Sequence, residues 1–424
     1  MTASKFLVIP ILTCVLLLID WYVWQALKVV FHSSGGQTLE VVKWAFWSLT
    51  VAVLLGLWAY NFVDPELLGV KARTFILSSL FVVYCSKLVS VAFLLIDDAA
   101  RFVRWAANKI SPGDDLPAAA TSSNGKVITR SEFLMKASLM AAAIPATALT
   151  WGIVSGAHDY RLRRVRLVLN NLPRAFEGMT IGQISDIHTG SFFNKTAAKG
   201  GVEMLLKEKP DMVFFTGDLV NDRAWEVKDY LGIFDKVKAP MGVFSTLGNH
   251  DYGAYLKFPD QQARQQNLDD IRHAHKLMGY DLLVDENRII TLGGEKLAII
   301  GVENISATES IFPANNHLAT AVKGSDEAAV KLLLSHDPSH WNMEVTPHYK
   351  EIDMTFSGHT HGLQFGVTLG GKTYSPAQLQ YKQWAGLYRN GTQQLYVNRG
   401  FGYLGYPGRV GMPPEITIFE LAGS

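Results

Sequence analysis

The stretch TFSGHTHG, residues 355–362, sets His359 and His361 two positions apart on a glycine-flanked turn behind an apolar run. Imidazoles so placed can bind metal, but one H-x-H also arises by chance in ordinary loops, so its meaning depends on partners elsewhere. The chain supplies them in order. After MTIGQIS comes D-x-H, with Asp186 and His188; after DMVFFT comes G-D, with Asp218. After GVFSTL comes G-N-H-D, with Asn249, His250 and Asp251, and after VKLLLS comes His336. Each motif alone reads as a turn or a helix cap. Together they place carboxylate, amide oxygen and imidazole after five strand-like runs, where α/β folds carry their reactive loops. The set contains no thiolate, since Cys14 and Cys85 are the two cysteines and both lie in apolar segments. Oxygen and nitrogen donors suit Mn, Fe or Zn. Seven ligands (Asp186, His188, Asp218, Asn249, His336, His359 and His361) exceed one tetrahedral site and suit two metals sharing a carboxylate.

The remaining histidines have plainer explanations. His273 and His275 fall two apart on a helical pattern and share no face. His336 and His340 imitate an i,i+4 pair, but Pro338 between them opposes a helix. Asp251 and Asp337 adjoin ligand loops and are candidates for orienting the ligands.

These loops need a scaffold. From about residue 161 short apolar runs alternate with helical patterns over 195–209, 230–237 and 260–278. The strand-like runs KLAIIGV, VKLLLS, IDMTFS, QLYVN and EITIFEL follow. This alternation with a strand-rich tail predicts an α/β domain over 161–424.

The preceding 156 residues differ in kind. Segments 6–30, 41–62, 75–96 and 133–154 are apolar and reach the roughly 20 residues that cross a hydrocarbon core. Trp21, Tyr22, Trp24, Trp58 and Tyr60 sit near their ends, as interfacial aromatics do. The segment DDAARFVRWAANKI after the third span is amphipathic and reads as a surface helix. Asp20 and Lys87 fall inside spans one and three at similar depth and are expected to pair. The connector between spans three and four carries Arg101, Arg104, Lys109, Lys126 and Arg130, which places it in the cytoplasm and the catalytic domain outside it. TRSEFLMKASLMAAAIPATA resembles a twin-arginine export signal, with Ser131 where the second arginine would stand. Arg161, Arg163, Arg164 and Arg166 point the other way, but long domains translocate largely regardless of charge. A multi-pass protein of the cell (inner) membrane follows. Its formal charge of +1 lacks the basic excess of a nucleic-acid binder, so no nucleic-acid partner is expected.

The order D-x-H, G-D, G-N-H-D, H, G-H-x-H resembles the calcineurin-like metallophosphoesterase superfamily. The tail GLYRNGTQQLYVNRGFGYLGYPGRVGMPPEI is similar to a bacterial membrane-attached phosphodiesterase branch, which often reads G-H-T-H-G-G-Q where Leu363 replaces the second glycine here. The resemblance implies a two-sheet sandwich flanked by helices and two divalent metals. It gives one metal to Asp186, His188, Asp218 and His361 and the other to Asp218, Asn249, His336 and His359. It further implies a bridging water as nucleophile, His250 as catalytic acid, and Asn398 with Arg399 beside the substrate. The implied activity is hydrolysis of a phosphodiester or pyrophosphate bond, with membrane attachment favouring a lipid-linked or envelope substrate. An anchored phosphoesterase for soluble substrates and a non-catalytic metal-retaining scaffold stay open as alternatives.

Overall fold

The structure is a computed structural model that describes residues 3–110 and 130–424; the polar connector lies outside these. The chain divides into two units, Met1–Thr150 and Trp151–Ser424.

In the first unit the apolar segments form helices Ala3–Phe31, Gly36–Phe62, Val70–Ile110 and Arg130–Val154. Each contains a stretch apolar and long enough to cross a membrane. Many of their large apolar side chains point outward, among them Leu18, Trp44, Leu55, Phe75 and Ile144, as lipid-facing positions would. The third helix runs unbroken to Ile110. The amphipathic segment is therefore its continuation and no separate surface helix, because neither Gly nor Pro interrupts residues 70–110. Trp24 is buried and packs on Phe46 at 5.7 Å rather than joining an aromatic belt.

Inside this unit Asp20 is fully buried. One of its carboxylate oxygens pairs with Lys87 Nζ, and the other accepts from Tyr84 Oη at 2.8 Å. Lys87 Nζ also reaches Thr50 Oγ1 at 3.2 Å and lies 4.6 Å from the Phe46 ring centre. Three helices are thereby joined through one charge pair that satisfies its own polar groups, as apolar surroundings require.

The second unit contains two six-stranded sheets and one small hairpin. In chain order the strands are β1 (Arg161–Leu169), β2 (Thr180–Ile184), β3 (Met212–Thr216), β4 (Val243–Thr246), β5 (Asp281–Leu282), β6 (Glu286–Leu292) and β7 (Glu295–Gly301). Then come β8 (Val330–Leu334), β9 (Met354–Ser357), β10 (Val367–Leu369), β11 (Lys372–Tyr374), β12 (Gly386–Asn390), β13 (Gln393–Val397) and β14 (Glu415–Gly423). One sheet has the order β1-β14-β2-β3-β4-β5, the other β12-β13-β9-β8-β7-β6. Strands β2, β3 and β4 run parallel, as do β7, β8, β9 and β13. Parallel strands covered on both faces need continuous apolar runs, which MVFFT and VKLLL provide.

Between the sheets, Phe214 meets Phe356 edge-on at 4.9 Å, Phe356 meets Phe419 at 5.1 Å, and Phe419 meets Tyr396 at 4.9 Å. Each such pair contributes about 0.5–1.5 kcal/mol beyond its buried area. Helices Lys195–Lys207 and Gln261–Met278 pack outside the first sheet, the latter capped by Asp260, whose carboxylate accepts from Ala263 N at 2.7 Å. The pattern over 230–237 yields only the single turn Leu231–Phe234. Strand β1, which local pattern marks only as a basic segment, pairs in parallel with β14 along its whole length.

Removing one member of the Asp20–Lys87 pair leaves the other charge buried, a change that typically costs about 3–5 kcal/mol. Asp20→Lys and Lys87→Asp should each lower the amount of folded protein in the membrane, and the double exchange should restore it. Fluorescence size-exclusion profiles of the three variants check this, and no recovery in the double variant would refute the pairing.

Candidate metal centre

The loops that follow β2, β3 and β4 in one sheet and β8 and β9 in the other converge at one end of the sandwich. Asp186, His188 and His361 bring ligand atoms within 4.8 Å of one another, and so do Asp218, His336 and His359. Asp218 Oδ2 stands between the groups, 3.4 Å from His188 Nε2 and 3.1 Å from His336 Nε2. His188 Nε2 and His361 Nε2 are 3.0 Å apart, and His361 Nε2 lies 3.3 Å from Asp186 Oδ1. Asn249 Oδ1 meets His359 Nδ1 at 3.0 Å.

The backbone bends hard to achieve this. Asp186, His188, Asp218, His359 and His361 all adopt positive φ, between 49° and 71°. Such left-handed non-glycine residues cost roughly 1–3 kcal/mol each where they are strained, and they gather at functional sites. The adjoining glycines make room. A Cβ on Gly248 would lie 2.2 Å from Asp218 Oδ1, and one on Gly358 would lie 2.2 Å from Asp186 Oδ2. This explains the glycines of G-N-H-D and G-H-T-H.

Further side chains hold the ligands. Asp251 accepts from the backbone N–H groups of Gly248, Asp218 and Leu219, each at 2.9 Å, and so clamps the two turns together. His336 Nδ1 donates to Thr216 O at 2.7 Å and His188 Nδ1 to Val220 O at 3.2 Å, which leaves each Nε2 for the site. Arg409 is buried, with Nη2 3.2 Å from His361 Nδ1 and its remaining bonds to the carbonyls of Arg399, Gly400, Gly402 and Met412. Sequence spacing gave no signal for this role. The same holds for Tyr381, whose hydroxyl is 2.8 Å from His359 Nε2, and for Tyr255, which joins Asn249 to Glu309.

Asn398 and Arg399 are occupied away from the ligands. Arg399 forms a buried ion pair with Glu415 at 2.5 Å, and Asn398 bonds to Thr417 Oγ1 and Gly400 N. Glu415 draws Arg399 because a buried carboxylate needs a cation nearby, and Arg163 Nε approaches the same oxygen, Oε2, at 2.9 Å.

Electrostatics suit a cation-binding pocket. Burial opposes charge on His336, but the Asp218 carboxylate outweighs it and raises the imidazole to about 10. Burial likewise pushes against an ionised Asp218, yet the charged His336 beside it holds it well below the usual carboxylate range. Burial, aided by the positive charges of His188 and Arg409, keeps His361 neutral, the form that ligates metal. Asp186 Oδ2 is buried without a hydrogen-bond partner, which leaves one carboxylate oxygen free for a cation. These residues fit a pair of divalent cations, either of which would displace a proton from its imidazoles.

His250 lies beside the pair, its ring 5.0 Å from that of His188. Its backbone N–H donates to Asp218 Oδ1 at 3.0 Å and its Nδ1 to Asn221 O at 2.6 Å. With Asn249, His359, Leu363, Gln380 and Tyr381 it lines a cleft of about 290 Å³.

Asp218→Asn should disturb the centre more than Asn249→Ala, because the Asp218 charge faces both groups while Asn249 offers one neutral oxygen to one. Elemental analysis should find fewer metals per chain in the Asp218 variant, and two retained metals would remove Asp218 from the position between them.

Residues 179–363 match the family model for calcineurin-like phosphoesterases, and residues 4–157 match a calcineurin-like phosphoesterase transmembrane domain with four spans. An uncharacterised metallophosphoesterase of Bacillus subtilis, YkuE, is 26% identical over 306 residues, covering 70% of this chain and 98% of its own. A transmembrane protein with metallophosphoesterase domain from Bos taurus is 24% identical over 418 residues, covering 93% of this chain and 84% of its own. A solved Haemophilus influenzae NAD nucleotidase superposes with a TM-score of 0.34 at 18% identity, covering 53% of this chain and 45% of its own. With the ordered ligand loops, the two-sheet sandwich and both family matches, the chain carries a calcineurin-like phosphoesterase domain over residues 179–363, preceded by four apolar helices that match that family's transmembrane domain.

Proposed function

We propose that this protein hydrolyses a phosphodiester or pyrophosphate bond in a lipid-linked or envelope substrate, on the extracytoplasmic side of the cell membrane. The observation that carries the hydrolase reading is the placing of Asp218 between two buried Asp/His groups. Divalent cations, if bound there, would supply Lewis acidity to a phosphoryl group and to water. Asp186, His188 and His361 would hold one, and Asn249, His336 and His359 the other, with Asp218 available to both.

His250 moves the proton. Its Nδ1–H is committed to Asn221 O, so Nε2 is the free atom. Burial pushes the ring down to about 4, which keeps it neutral and able to accept. It takes the proton released on nucleophilic attack and delivers it to the departing oxygen, a role that contributes typically about 10²–10⁴-fold. The lipid-linked substrate is supported by the four spans, and the sidedness by the basic connector between the third and fourth.

The purified full chain with Mn²⁺ should hydrolyse bis(p-nitrophenyl) phosphate; no turnover with any of Mn, Fe or Zn would leave the scaffold reading. His250→Asn should lower kcat by about 10²–10⁴-fold on alkyl phosphodiesters with metal content unchanged, and by less on nitrophenyl esters, whose leaving group scarcely needs a proton. Equal losses on both ester types, or loss of metal, would make His250 a structural residue.

Alkaline phosphatase fused after Ser424 should be active in cells, since that enzyme matures only after export. An active cytoplasmic reporter at the same position would instead put the hydrolase inside.

A further inference from the structure

The hairpin of β10 and β11 belongs to neither large sheet. Gly370 and Gly371, both at positive φ, make the two-residue turn that suits the twist of paired strands. The cross-strand pairs Val367–Tyr374 and Leu369–Lys372 share one face, and Thr368–Thr373 the other, with their hydroxyls 3.0 Å apart. Val367, Tyr374 and Leu369 (64%) are exposed. Leu363, on the segment entering the hairpin, is also exposed, and Leu379, on the segment leaving it, is 93% exposed. The two segments are tied by Ser375 Oγ, which donates to Gly362 O at 2.6 Å. A domain surrounded by water rarely gathers so much apolar surface on one short element.

Two observations bear on what this face meets. The first is where the hairpin is rooted. Residues from Trp151 onward belong to the second unit, yet they form the last turn of the fourth apolar helix. Arg409 N donates to Gly152 O at 3.1 Å, Val410 N to Gln364 O at 2.9 Å, and Gly366 N to Val410 O at 2.8 Å. β10 therefore begins one residue from a segment bonded to Gly152, a residue of the same unit that lies in the last apolar segment of the chain. A three-residue strand extends about 10 Å, comparable with the depth to which interfacial elements enter a bilayer. The second is charge. Between Asp353 and Glu415 the chain has no acidic residue and five basic ones, of which Lys372, Lys382 and Arg389 are exposed. Basic side chains beside apolar ones fit an anionic lipid surface.

The face also adjoins the metal centre, because Leu363 lines the cleft and Leu379 precedes the cleft residues Gln380 and Tyr381. We infer that the β10–β11 hairpin, with Leu363 and Leu379, enters the bilayer interface and sets the mouth of the cleft against the lipid. A bilayer-embedded phosphate ester then reaches the metals with its acyl chains still in the membrane. This last consequence rests on the hydrolase reading; the insertion does not.

The test uses the full chain with Cys14→Ala and Cys85→Ala, carrying one cysteine at a time (Leu369→Cys, Leu379→Cys or Asp326→Cys). Each is labelled with an NBD fluorophore and placed in nanodiscs of phosphatidylcholine and phosphatidylglycerol. Labels at 369 and 379 should be quenched by lipids doxyl-labelled near the headgroup and shielded from iodide, and the label at 326, just before β8, should behave oppositely. Iodide access at 369 equal to that at 326 would overturn the insertion. Shielding from iodide without doxyl quenching would overturn it too, showing that a protein or a second copy covers the face. Quenching at 369 but not at 379 would overturn the placing of the cleft mouth. Should the labels be quenched while the same protein fails to hydrolyse bis(p-nitrophenyl) phosphate, the hydrolase reading falls and the membrane insertion stands.

Discussion

Asp218 is a buried carboxylate, and much of the second unit can be understood as the means of keeping it there. An unpaired charge at such depth would be expelled or neutralised. Its Oδ1 accepts a backbone N–H, its Oδ2 faces two imidazoles, and its own N–H is held by Asp251. Because Asp251 grips the turns after β3 and β4 at once, the charge cannot relax away from the imidazoles without breaking several bonds. The positive φ values of the proposed ligands are the backbone expression of the same constraint. Short turns aim large polar side chains inward only by leaving the ordinary regions of conformational space.

That strain has to be offset by something stiff. The two sheets supply it through the aromatic stack between them and through bonds that tie their ends together. Gln183, from β2, donates to Ser357 O of the opposite sheet at 3.1 Å, and His336 reaches across to Thr216 O. Loops carried on such a frame can be left-handed and still rigid. Arg409 extends the frame from the C-terminal side, filling its donors with carbonyls and presenting one nitrogen to His361.

The first unit solves a related problem in a different solvent. Apolar side chains face outward, and a carboxylate and an ammonium are enclosed together with a phenol and a hydroxyl. Where lipid surrounds the helices no water competes for these groups, so each must find its partner inside the bundle. Both units thus enclose opposite charges in pairs, one to shape a reactive centre and the other to join helices.

Much of this organisation is legible in the amino-acid sequence because it depends on local chemistry. Hydropathy length marks the four spans, and the alternation of apolar runs with helical periods marks the α/β unit. The types of the proposed ligands, and the glycines beside them, are legible since metal binding and close backbone approach admit few alternatives. What stayed hidden depends on contacts between residues far apart in the chain. Strand β1 looks like a basic flank until β14 returns beside it, and no local pattern pairs Arg399 with Glu415. The positioning of His361 by Arg409 and of His359 by Tyr381 has no sequence period, because each arises where separate loops meet. Residue type and local pattern determined which chemistry this chain can perform; only the tertiary structure decided which atoms face each other, since directions of side chains are set by packing rather than by spacing.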